Sequence, residues 1–130
     1  MRTKTIRQTV VFKASPDEVY NAIMDPKKHA EFTGSKARIS RDVGGKFSVY
    51  GGYIDGKNIE LIPGKKIVQT WHANEWPEGH YSKVTFIFKK VKQGTKMIFI
   101  QEGVPDEHYE NIRDGWKEHY WDKMKSVFGW

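Results

Sequence analysis

Tyr109-Glu110-Asn111-Ile112-Arg113-Asp114-Gly115-Trp116-Lys117-Glu118-His119-Tyr120-Trp121-Asp122-Lys123-Met124-Lys125-Ser126-Val127 is the stretch that decides the fold. Tyr109, Ile112, Trp116, Tyr120, Met124 and Val127 recur at three- and four-residue steps, the spacing of one helical face. At 1.5 Å per residue the stripe runs for about five turns. Asp106, Glu107 and Glu110 lie at its start and Lys123 and Lys125 near its end, which suits the helix dipole. A stripe carrying Trp116 and Tyr120 needs an apolar wall to lie on.

The residues before it supply that wall. Residues 82–91 and 95–102 alternate, placing Val84, Phe86 and Phe88 on one face and Met97, Phe99 and Gln101 on another, both assigned to the inside. Further strands are predicted over 46–50, 58–62 and 66–73, and over 3–14, where Ile6, Val10 and Phe12 share a parity. Asp55-Gly56 and Gln93-Gly94 read as hairpin turns, and Pro63-Gly64 stops a strand. Between the first strand and the rest, Ser15-Pro16-Asp17-Glu18 has the composition of a capping box opening a helix. Asp25-Pro26 restarts the chain as a second short helix that Thr33-Gly34 ends. Strands in sequence without helices between them make an antiparallel sheet. The expectation is an α+β fold: about six strands in a curved sheet around a long C-terminal helix, one domain over residues 1–130.

Composition narrows the function. The chain has 130 residues, including five Trp, six Tyr and seven Phe, enough apolar mass for one packed core. With no cysteine, disulfides, a thiolate nucleophile and a Cys-based zinc site are excluded. The net charge of +6 favours acidic surfaces, but the basic residues are scattered rather than gathered into a nucleic-acid stripe. No run approaches the roughly 20 apolar residues of a membrane span, and the start lacks a signal peptide's apolar segment. A cytoplasmic protein is therefore expected.

Several motifs come in a telling order. They are Gly44-Gly45-Lys46-Phe47, Gly56 before Glu60-Leu61-Ile62-Pro63, Ile67-Val68 before Trp71, and Trp76-Pro77-Glu78-Gly79-His80. Gly103-Val104-Pro105, Gly115-Trp116-Lys117, Tyr120-Trp121 and a Phe128-Gly129 ending come after them. Over nearly the whole chain, these resemble the C-terminal domain of the activators of the heat-shock protein 90 ATPase. That domain is of the helix-grip, START-like class, shared with lipid carriers and polyketide cyclases. The resemblance implies a non-catalytic co-chaperone-like or protein-interaction module, with a heat-shock protein 90 type chaperone as partner. Full-length activators carry a further N-terminal domain, implicated in gripping the chaperone, to which nothing in these residues corresponds.

Two other readings stay open at this point. Trp71, Phe86, Phe88 and Phe99, with Gln101, Trp116 and Tyr120, line either a packed core or a pocket for a small hydrophobic molecule. A cyclase-type enzyme would draw on strand polar residues, among them Glu60, Gln69, His72, Gln101 and Glu102. No nucleophile elbow or phosphate loop is present, so no catalytic residue is assigned. In the loop with His80, Trp76 either anchors a partner or folds over the mouth of the grip. Gly115, costly inside a helix, marks close packing on the sheet or space beside Trp116. Among His29, His72, His80, His108 and His119 no metal-binding spacing occurs, and neither metal nor cofactor is expected.

Overall fold

Antiparallel ladders join seven strands into one sheet, in a computed structural model that describes residues 1–128. The strands are β1 (Thr3–Phe12), β2 (Arg38–Ile39), β3 (Lys46–Val49), β4 (Ile54–Ile62), β5 (Lys66–Ala73), β6 (Ser82–Val91) and β7 (Gly94–Pro105). Their order across the sheet is β1-β7-β6-β5-β4-β3-β2, so every neighbour but the first pair is also a neighbour in sequence. β1 crosses to the far edge and lies against β7, from Thr3 opposite Pro105 to Phe12 opposite Thr95.

Helices α1 (Pro16–Met24) and α2 (Pro26–Thr33) fill the gap between β1 and β2. The capping box forms: Glu18 N–H donates to Ser15 Oγ at 3.2 Å, and Ser15 N–H donates to Glu18 Oε1 at 3.1 Å. Asp25 Oδ1 accepts from the N–H groups of Lys27 and Lys28 and so starts α2. Val19, Tyr20, Ala22, Ile23 and Met24 are the buried face of α1.

After Pro105 the chain turns once through Asp106–His108 and enters α3 (Tyr109–Trp116). A π-helical turn, Lys117–Trp121, joins α3 to α4 (Asp122–Phe128). That turn alters the expected face. A π turn inserts a residue and rotates the succeeding side chains by about 100°. Trp116, Tyr120, Trp121 and Met124 are all buried, whereas Val127 is 61% exposed. The stripe predicts Val127 on the inside, and Phe128 takes its place, its ring 6.0 Å from Phe12. Gly129, the last residue of the C-terminal Phe-Gly motif, lies outside the described residues. No described helix is long and apolar enough to cross a membrane.

The inner face of the sheet is as the alternation predicts: Ile6, Val10, Phe12, Val84, Phe86 and Phe88 are buried, as are Met97, Phe99 and Gln101. One turn is corrected. Asp55-Gly56 is no hairpin but part of β4, with Asp55 opposite Ser48 and Gly56 opposite Phe47. A Cβ at Gly56 would lie 1.8 Å from the Thr70 carbonyl oxygen, so this glycine serves close strand approach. Residues Tyr50–Gly52 make the turn instead.

Candidate functional site

Trp116 is the centre of the grip. Its ring centroid lies 4.4 Å from that of Phe99, 4.7 Å from Tyr120, 5.3 Å from Trp121 and 5.5 Å from Trp71. An indole buried this deeply must place its N–H. Trp116 Nε1 donates to Gln101 Oε1 at 2.7 Å, Gln101 Nε2 donates to Ser82 Oγ, and Ser82 Oγ–H donates to the Trp71 carbonyl. Gln101, fully buried, is thus satisfied by helix and sheet alone. A parallel link ties the helix to β1, where Trp121 Nε1 donates to Gln8 Oε1 at 2.7 Å.

These side chains leave almost no room. The space that Trp71, Phe86, Trp116 and Tyr120 enclose with Ile23, His29 and Val49 is about 20 Å³, the room of a single water. Phe88 lies farther along, its ring 5.8 Å from Tyr20 of α1. The expected lining residues therefore do come together under the helix, as neighbours in a packed interior.

His29 on α2 is a member of this interior that sequence spacing does not reveal. Its Nδ1–H donates to the Ile23 carbonyl at 3.0 Å, which leaves Nε2 to accept from the Tyr120 hydroxyl at 2.9 Å. Burial pulls its pKa down to about 4, with the Ile23 bond opposing. Burial also raises Tyr120 well above the usual phenol range, with Tyr50 adding to it. The pair is neutral across physiological pH and bolts α2 to the π turn.

Trp76 does not project as an anchor. It is 3% exposed and packs on Trp71, His72 and His80. Its loop is held down by imidazole donors, His72 Nδ1–H to the His80 carbonyl and His80 Nε2–H to the Gly103 carbonyl. Each ring faces an acceptor-only carbonyl, so each nitrogen there carries its proton. Among the described residues, Trp76 Nε1 alone is a buried side-chain nitrogen or oxygen without a hydrogen bond.

The polar strand residues do not converge on a reaction site. Glu60 is ion-paired with Lys66 at 3.0 Å on the surface, and Glu102 is exposed. Gln69 is buried, with its amide donating to Asn58 Oδ1. No group of three or more His, Asp or Glu among the described residues is placed to hold a metal ion.

Beside the filled interior lies an open groove of about 350 Å³, between α3 and the turn at Tyr50. Tyr50, Tyr53, Glu75, Gly115 and His119 line it, together with Trp71 and Trp116. Tyr50 is the only non-glycine residue at positive φ among those described, at 52°, a conformation costing about 1–2 kcal/mol. Its hydroxyl donates to the His119 carbonyl at 2.7 Å, reaching across to the π turn. The Tyr53 hydroxyl donates to Glu75 Oε1. Burial pushes both phenols up to about 12, and Glu75 adds to the effect on Tyr53. Gly115 does not mark close packing on the sheet. A Cβ there would meet only the His119 ring, at an ordinary 3.7 Å, so its cost of about 1 kcal/mol against alanine leaves the groove open.

A curved antiparallel sheet closed by a terminal helix is the architecture of the helix-grip class. Within it, the model of the family "Activator of Hsp90 ATPase homolog 1-like protein" matches residues 13–129. The chain belongs to this family. It is 38% identical to the "Activator of 90 kDa heat shock protein ATPase homolog" of Dictyostelium discoideum, covering 98% of this chain and 34% of that protein. Against the human homolog 1 it is 32% identical, over 97% of this chain and 37% of the relative. The chain thus spans about a third of the length of these curated relatives. A solved structure of an HSP90 activator from Plasmodium falciparum superposes with a TM-score of 0.86 at 28% identity, covering 99% of this chain and 97% of its own. A Chromobacterium violaceum protein gives 0.80 at 25% identity, covering 95% and 96%.

Proposed function

We propose that the chain is a non-catalytic recognition domain of co-chaperone type, acting on a heat-shock protein 90 type chaperone through its surface. The filled interior carries this reading. A carrier or a cyclase needs enclosed volume, and about 20 Å³ beneath the helix falls far short of the roughly 300 Å³ of small-molecule sites. The polar groups a cyclase would use are instead spent on structural bonds, as at Gln101 and Gln69. The family's members named as activators of the 90 kDa heat-shock protein ATPase supply the partner class.

The test is the ATPase rate of a heat-shock protein 90 chaperone with and without the chain. A saturable rise in rate, or saturable binding without it, supports recognition. Neither effect at about 50 μM chain, where even weak transient complexes are populated, would overturn it.

A further inference from the structure

We propose that the groove between α3 and the Tyr50 turn is a binding site for a small, compact organic cation. The site is distinct from the interior and independent of the chaperone reading.

Three local irregularities meet at this one place. Tyr50 holds a left-handed backbone, Gly115 sits mid-helix without a packing demand, and the only π turn among the described residues begins at Lys117. Irregularities of this kind gather where a surface is shaped for a ligand. The core does not ask for the glycine, since a Cβ there would meet nothing closer than His119 at 3.7 Å.

The lining specifies the ligand's charge. The chain holds 22 Lys and Arg, yet none is among the eleven residues that line the groove. Glu75 is its one acidic side chain, and among the described residues only the Tyr53 hydroxyl bonds to it. Tyr53 bonds that carboxylate, and Tyr50, Trp71 and Trp116 line the same groove with aromatic surface. Ring quadrupoles attract a cation, and the exposed Glu75 carboxylate adds a solvent-screened Coulombic attraction. An anion would meet the carboxylate with no lysine or arginine beside it, and a neutral hydrocarbon would gain nothing from Glu75. The volume of about 350 Å³ is at the small end of ligand sites, which limits the guest to a compact molecule.

The test uses the full chain and three benzyl probes of similar shape: benzyltrimethylammonium, its uncharged carbon isostere 2,2-dimethylpropylbenzene, and phenylmethanesulfonate. Amide chemical shifts of Glu75, Gly115 and His119 report binding. The cation should titrate these three saturably, and about tenfold more tightly than the isostere, while the sulfonate leaves them unmoved. Glu75→Gln should weaken the cation about fivefold and leave the isostere unchanged. Gly115→Leu, with thermal melting to show that it folds, should abolish binding of both. Equal affinity for cation and isostere, shifts confined to other residues, or an unaffected Glu75→Gln titration would each overturn the proposal.

Discussion

One buried imidazole makes this protein sensitive to acid. His29 has a folded pKa of about 4, below its ordinary 6.5, because burial penalises the charged imidazole. An unfolded chain therefore binds the proton first, so His29 contributes stability fully above about pH 6.5 and loses it as pH falls towards 4. The loss amounts to about 3 kcal/mol over that window, and urea unfolding at pH 7 and pH 4.5 measures it. His29→Gln should reduce the difference between the two pH values. Two indoles give a second contrast. Trp116 Nε1–H satisfies the buried Gln101 carbonyl oxygen, whereas Trp76 Nε1–H has no partner. Trp116→Phe strands that oxygen and should cost about 2–3 kcal/mol, while Trp76→Phe should stay within about 1 kcal/mol. If chemical denaturation gives the two variants equal losses, the hydrogen-bond assignment of Trp116 is wrong.

Among elements, the terminal helix shows most plainly what the sequence discloses. Gly115→Ala should stabilise the protein by about 1 kcal/mol, because the added methyl has space and the helix gains propensity. A lower melting temperature would mean that Gly115 meets something besides His119. Deleting Glu118 should convert the π turn to α and swing either the Trp116 or the Trp121 side from the sheet. The expected loss is more than about 3 kcal/mol by the same measurement. The helix itself is legible in its three- and four-residue steps, as are the capping box at Ser15 and the inner parity of β6 and β7. A period of 3.6 cannot register a single inserted residue, so it places Trp121 and Val127 on each other's sides. Asp55-Gly56 has strong turn chemistry, yet cross-strand crowding at Thr70 claims the glycine for β4. The groove stays hidden for another reason. Tyr50, Glu75 and Gly115 come from a turn, a loop and a helix, and no spacing rule relates them.

For the whole molecule, charge governs the expected association. A net charge of +6 favours an acidic partner, and exposed ion pairs such as Lys4–Asp106 at 3.1 Å show the surface open to screening. The dissociation constant of the proposed chaperone complex should rise between about 50 and about 200 mM salt. A salt-insensitive constant from calorimetry would point to an apolar contact instead.

β1 is made first and pairs with β7, which is made nearly last. On the ribosome this strand waits, its hydrogen-bonding edge unsatisfied, until residues beyond Gly94 have left the exit tunnel. Loop closure of that span slows folding, since distant pairings must be reached before they reward the chain. A nascent chain arrested before β7 should remain protease-sensitive from end to end, and resistance should appear in one step once the terminal helix is free.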